Sequence, residues 1–503
     1  MLHAYWRVVE PPKSAAEVRA EASLFFIHLG GDVYWCAFAV PFQRWMLFLA
    51  AFVSQICCGS LYAYGLLTDA VATHFGLSPE AATLPFYVAY GSVGLAAVFA
   101  GPFVERHGPR VAMYLGTALM ALGHTCAAVA VAYKAPALLH GYGVLYGAGI
   151  GVNYIAPVAP LQKWFPDLRG TAAGFALCGF GASGVVWGGL YQVLLVDLGI
   201  GGVFWRVGLT TTVLLVVCAA VLRTPPPSYR VHGLDMHGAP EALLEDIAIV
   251  DFAKATDYLG PELDPIERVY HDRIQHLSLA ECIVSIDFLF VCLTYLATFV
   301  FGILFLPRFF DVYKLLYDPP EYAAINFMLC CAGCNFLGRL VVPMASDAAI
   351  RLLSLNPAFA RKAVFAIAIV WQCIALGILP STVRDPLAAG VFRGLIWTTA
   401  FLVGGATGVV PSLCTDLYGV YNTGTMFGCL LTCSSLTGLV GGAAFTHYFG
   451  CWRTSYGLVE AYAMSLHRIH GIVLSGLLFV CLVRTNPVDR FQIGYSACWW
   501  RRR

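Results

Sequence analysis

About twelve runs of roughly 20 apolar residues, spread over residues 45–484, confine this chain to one kind of structure. A run of that length matches the thickness of a bilayer's hydrocarbon core. In lipid, every backbone N–H and C=O must find its partner within the fold, and a helix satisfies them all locally. An all-α membrane protein is therefore expected. Composition agrees, with 59% hydrophobic residues and 12% Asp, Glu, Lys and Arg, where soluble domains carry about 25%. The 50 glycines and 26 prolines fall inside the apolar runs, as transmembrane helices tolerate. A net charge of +1 offers no basic patch, so no nucleic-acid partner is expected; the lipid bilayer is the implied surroundings.

Charged turns punctuate the runs. The decapeptide Gly101-Pro-Phe-Val-Glu105-Arg106-His-Gly108-Pro-Arg110 sets three charged groups between two apolar stretches, which marks a tight turn at a membrane surface. Its glycines permit close helix approach. The pattern has an echo in Gly338-Arg339 followed by Asp347. A polar, largely acidic stretch lies between the sixth and seventh runs. The expected organisation is an N-terminal segment at 1–43, a six-helix half at 44–222, a central loop at 223–283, a second half at 284–485 and a tail at 486–503. Residues 22–40, apolar but broken by His28, Gly30, Gly31 and Asp32, read as interfacial or disordered, with a thirteenth span as the alternative. Arg106, Arg110, Lys163, Arg169, Arg351, Arg361 and Lys362 fall in the even-numbered turns. The opposite loops of the first half hold only Lys134, so the even turns and both termini are expected in the cytoplasm.

Two six-helix halves, a repeated turn and a long central loop resemble the major facilitator transporters, which implies that fold with about twelve transmembrane helices. Further motifs narrow the resemblance. Gly147-Ala-Gly149-Ile-Gly151-Val-Asn153-Tyr154 precedes Trp164-Phe165-Pro166-Asp167-Leu-Arg169-Gly170 and the glycine-rich Gly174–Gly181. Gly59-Ser-Leu-Tyr62, Pro411-Ser412 and Asp416-Leu-Tyr-Gly419 agree. These are similar to the oxalate/formate antiporter family and its monocarboxylate transporter relatives. The resemblance implies a membrane transporter of a small-molecule substrate.

Depth within the membrane selects candidate substrate-binding residues. Arg339 lies eight residues before Asp347, roughly 12 Å into a core about 30 Å thick. A charge so placed needs a functional reason. Asn335 shares its helix face, one turn away. Gln55, Asn153, Tyr154 and Phe180 fall at similar depth, and Tyr62 lies nearer the outside. The resemblance implies that Arg339 pairs with a substrate carboxylate. It also implies that Ser434 stands where dicarboxylate antiporters carry a lysine, with Thr407 lining the same cavity. One cation then favours a monocarboxylate, or a zwitterion such as an amino acid, over a dianion. For gating, Gly101, Glu105, Arg106, Gly108, Arg110 and Asp347 are expected to latch the cytoplasmic side, with Glu105 and the arginines gripping the ends of second-half helices.

Acidic residues gather at the span ends, including Asp69, Asp287 and Asp416. Asn335 occupies the position of an aspartate in proton-coupled relatives. Exchange or facilitated diffusion by alternating access is therefore expected rather than proton symport. A non-transporting membrane sensor is a second reading. An enzyme is not expected, since no buried nucleophile–base pair stands out. The 18 cysteines lie mostly mid-span, and Cys331-x-x-Cys334 lacks a second ligand pair, so neither metal nor cofactor is expected. The chain is expected to act as a monomer.

Overall fold

The computed structural model describes residues 6, 13–36, 40–226, 228–238, 273–274, 276–305 and 309–485. Most of the expected central loop and the C-terminal tail lie outside the described residues. Ten continuous helices are long and apolar enough to cross a membrane. Two of them, Pro79–Ala132 and Arg169–Val221, run 54 and 53 residues. At ~1.5 Å per residue each is about 80 Å long, more than twice a hydrocarbon core. Each breaks at a glycine with positive φ, +80° at Gly108 and +66° at Gly199. A side chain there would strain the backbone, so these two residues turn each long helix back across the membrane.

Twelve crossings result. They are α1 (Met46–Phe75), α2 (79–107), α3 (109–132), α4 (Leu138–Trp164), α5 (169–198), α6 (200–221), α7 (Ile286–Leu304), α8 (Glu321–Leu352), α9 (Pro357–Arg384), α10 (Ala389–Tyr418), α11 (Thr423–Tyr456) and α12 (Leu458–Leu482). The last begins at Leu458 rather than near 469, because Glu460, His467 and Arg468 dilute its hydropathy. Glu460 is matched there by a bidentate bond from Arg384, at 3.0 and 2.6 Å. Among the described residues, 22–36 do not form a span. A short helix, Ala15–Glu21, leads into an antiparallel hairpin, β1 (Phe26–Gly30) and β2 (Val33–Cys36), which docks on the bundle.

Helices α1–α6 and α7–α12 form two halves whose interiors are built on small residues. A Cβ on Gly147 of α4 would lie 2.2 Å from the Ala89 carbonyl of α2, and one on Gly476 of α12 would lie 2.5 Å from Ala297 of α7. Without a hydrophobic drive between helices in lipid, such close backbone approach supplies the dispersion contacts that hold them together. The halves meet along two seams, α2 with α11 and α5 with α8. Gly428 faces the Ala97 carbonyl, and Gly174 faces Arg339 and Pro343. The turns α2–α3, α4–α5, α8–α9 and α10–α11 share one end of the bundle, referred to below as the charged end.

Candidate functional site

Arg339 sits on α8 at the seam with α5, where only 8% of it is exposed. Its Nε donates to Asn335 Oδ1 at 2.9 Å, and its Nη1 donates to the Leu177 carbonyl at 3.2 Å. Asn335 is fixed in turn by its own amide, which donates to the Ala400 carbonyl of α10 at 3.1 Å. Arg339 is thus held by neutral acceptors, and no described carboxylate forms an ion pair with it. The guanidinium lies 5.9 Å from the Phe180 ring centre. Tyr62 and Tyr154 each meet that ring edge-on, at 5.1 Å, and both feel the Arg339 charge. Tyr154 also packs at 5.7 Å on Phe427 of α11, so these aromatics join both halves around the cation.

Tyr62 belongs to a 3-10 stretch of α1, Gly59–Leu67, and is 48% exposed despite its place inside the bundle. Leu66, one turn further, is 44% exposed, and a Cβ built on Gly184 or Gly189 of α5 would meet nothing within 4 Å. Tyr62 and Leu66 are therefore uncovered on the side away from the charged end, where an opening adjoins the Tyr62–Arg339 cluster.

The other sequence-predicted residues divide. Ser434 is 7% exposed, its hydroxyl donating to the Leu431 carbonyl at 2.8 Å. Tyr90 of α2 and Tyr295 of α7 lie beside Ser434. Thr407 is half-buried on α10 and bonds the Val403 carbonyl. Gln55 and Asn153 are fully buried and point elsewhere. Gln55 ties α1 to α4 through the Tyr154 carbonyl at 3.2 Å, while Asn153 packs against Gly116 and Met120 of α3. Both have the right depth, but they face neighbouring helices rather than the opening. Tyr90 and Tyr295 were missed. Tyr295 lies eight residues from Asp287, the same offset as Arg339 from Asp347, so the depth rule could have found it.

At the charged end the gating residues take unexpected partners. Glu105 pairs with Lys163 of α4 at 2.6 Å, with both side chains almost fully buried. Arg110 donates to the Ala220 carbonyl of α6 at 2.8 Å and lies 3.9 Å over the Phe26 ring. These two described contacts, Glu105 to Lys163 and Arg110 to the Ala220 carbonyl, lie within the first half, where a grip on second-half helix ends was expected. A buried carboxylate takes the nearest buried cation, and the end of α4 supplies it. Arg106 is half-buried. The cross-half contact runs through Lys163, whose Nζ lies 4.8 Å from the Tyr421 ring.

Asp347 makes the stronger link between halves. It accepts from the Gly170 N–H at 3.1 Å, the Thr171 N–H at 2.6 Å and the Thr171 hydroxyl at 2.7 Å, and it pairs with Arg361. The carboxylate therefore caps the N-terminus of α5, where the helix dipole favours negative charge. Arg361 also donates to Ser346 at 2.7 Å and approaches Asp416, which pairs with Arg169 at 3.0 Å. Arg351 adds a bond to the Asp167 carbonyl.

Gly101 lies in the other seam, where a Cβ would stand 2.3 Å from the Thr425 backbone nitrogen. Gly101→Leu is expected to force α2 and α11 apart. Hydrogen exchange should then rise several-fold in peptides covering 423–430, and unchanged protection there would contradict a tight seam.

Comparison with known proteins agrees with this architecture. The family model described as Major Facilitator Superfamily matches residues 46–442. The oxalate:formate antiporter of Oxalobacter formigenes is 31% identical over 184 residues, 36% of this chain and 43% of that protein. Monocarboxylate transporter 11 of Mus musculus is 30% identical over 183 residues, 36% of this chain and 40% of that protein. The chain thus spans less than half the length of these two relatives. The solved structure of the proton:xylose symporter XylE superimposes with a TM-score of 0.64 at 15% identity, over 88% of this chain and 96% of that one, and shows the shared fold. With its twelve crossings in two halves, this chain belongs to the major facilitator superfamily of membrane transporters.

Proposed function

We propose that the protein is a secondary transporter that moves a small monocarboxylate by alternating access, working as an exchanger or facilitated-diffusion carrier. The observation that carries this reading is Arg339, a deeply placed cation held by an amide and a carbonyl close to the exposed Tyr62. A substrate carboxylate would supply the counter-charge that the fold leaves out, and Tyr62, Tyr154 and Phe180 would enclose its short apolar body. The matches to an oxalate:formate antiporter and a monocarboxylate transporter support an organic anion as cargo.

Ser434, Tyr90 and Tyr295 complete the site with hydroxyls rather than a second cation, which supports a monoanion over a dianion. The lysine and arginine distribution supports a cytoplasmic charged end, and the conformation described would then be closed to the cytoplasm. A zwitterion is the second reading, because the aromatic faces beside Arg339 could also receive an ammonium group.

Uptake of labelled monocarboxylates and amino acids into proteoliposomes tests the reading, with empty and preloaded vesicles compared. Faster uptake into preloaded vesicles indicates exchange; no uptake of any carboxylate would overturn the proposal. Ser434→Lys is expected to raise the preference for a dicarboxylate over a monocarboxylate by about tenfold or more, as one added ion pair of ~1.4 kcal/mol or better implies. Unchanged relative uptake of the two would remove Ser434 from the site.

A further inference from the structure

The docked N-terminal hairpin has two unlike faces. Phe26, His28, Tyr34 and Cys36 alternate on one face, in the register Phe26↔Cys36 and His28↔Tyr34. Phe26 lies under the guanidinium groups of Arg110, at 3.9 Å, and Arg223, at 5.5 Å. Arg223 follows α6, and it gathers the carbonyls of Glu21, Ser23 (2.9 Å) and Leu24 (2.6 Å). Burial, and then the adjacent Arg110, lowers its pKa to about 10, so it remains charged at neutral pH. The hairpin is thus fixed by two arginines to the ends of α3 and α6.

The opposite face holds Ile27, Leu29, Val33 and Trp35, which are 51, 64, 60 and 55% exposed. Four large apolar side chains among the nine strand residues (five in β1, four in β2) form an exposed patch on the hairpin's free side. What adjoins it identifies the occupant. α3 begins at the clamping arginine with Val111, Tyr114 and Leu115, all at least 40% exposed, and this outward stripe belongs to the helix's lipid-facing side. Trp45, at the start of α1, is 52% exposed at the same end of the bundle. Apolar surface therefore continues from the membrane-spanning belt onto the hairpin. A tryptophan flanked by aliphatic residues and backed by arginines has the chemistry of a membrane–water boundary.

We propose that the Ile27–Leu29–Val33–Trp35 face is a bilayer-binding surface, seated in the lipid headgroup boundary at the charged end and tying the hairpin, α3 and α6 to one leaflet. The surface is independent of what the transporter carries.

Photo-crosslinking of the full chain in phosphatidylcholine–phosphatidylglycerol vesicles tests this. p-Benzoylphenylalanine would replace Leu29 in one protein, Trp35 in a second and the turn residue Asp32 in a third. Mass spectrometry after irradiation should find lipid-mass adducts at positions 29 and 35, at least several-fold above position 32. Because positions 29 and 35 are exposed, the substitutions leave the contacts of Phe26 with Arg110 and Arg223 intact, and the two sites report separately. Covalent dimers would assign the face to a second copy. Crosslinks to residues 239–272 would assign it to the central loop, and adducts no more frequent than at position 32 would place it in water. Each of these three results overturns the proposal.

Discussion

Arg339→Ala protein, reconstituted in proteoliposomes, is expected to take up its monocarboxylate at no more than about one hundredth of the wild-type rate. Removing one partner of a buried charge pair costs about 3–5 kcal/mol, and each ~1.4 kcal/mol is tenfold in affinity. The fold itself should tolerate the change, because the described hydrogen bonds of Arg339 go to Asn335 on its own helix and to the Leu177 carbonyl. Thermal unfolding without substrate should therefore change little, while stabilisation by added substrate should vanish. Arg339→Lys keeps the charge but loses the planar fork, so an intermediate loss of about tenfold is expected. Uptake by Arg339→Ala within a few-fold of wild type would remove the arginine from the transport path.

Asp347→Ala is expected to move the resting conformation rather than the affinity of the site. In the structure, Asp347 bonds both backbone and side chain at the start of α5 and pairs with Arg361. Those bonds belong to the conformation closed at the charged end. Losing a buried, multiply bonded carboxylate worth about 3–5 kcal/mol should lower the population of that conformation by about a hundredfold or more relative to the alternative. Spin labels near the charged ends of α5 and α8 would report a longer mean distance by pulsed electron resonance. Thr171→Ala removes a single hydroxyl donor and should shift the distribution in the same direction by a smaller amount, about 1.5–3 kcal/mol. A distance distribution in Asp347→Ala that matches wild type would show that other contacts hold the seam.

The crossings were legible because a bilayer imposes one length and one composition on each of them. Glu460, His467 and Arg468 concealed the start of α12 for the same reason, since hydropathy cannot register that Glu460 is bonded by Arg384. At the site, residue spacing gave depth but not direction. Arg339, Tyr154 and Phe180, placed at one depth by spacing, lie beside one another, and Tyr62, expected nearer the outside, meets the same Phe180 ring. Gln55 and Asn153, equally deep, turn toward neighbouring helices, and only packing decides that direction. The role of Asp347 was half visible. Its place in the repeated turn marked it for gating, but its partners at Gly170 and Thr171 lie 177 and 176 residues away in the chain. Glu105 shows the converse, because a motif identifies a charge without naming the ion that answers it.

The glycine seam between α2 and α11 has a consequence for the entropy of switching. Where Gly101 meets Thr425 and Gly428 meets Ala97, at least one partner is backbone with no rotamers to restrict. Glycine and alanine lose essentially no side-chain freedom on burial, whereas ordering an arginine costs about 1.5–2 kcal/mol. Closing the seam at these two points therefore immobilises little side chain. The entropic resistance to closure is concentrated instead in the long side chains that cross between the halves at the charged end, Arg169 to Asp416, Arg351 to the Asp167 carbonyl and Lys163 to the Tyr421 ring.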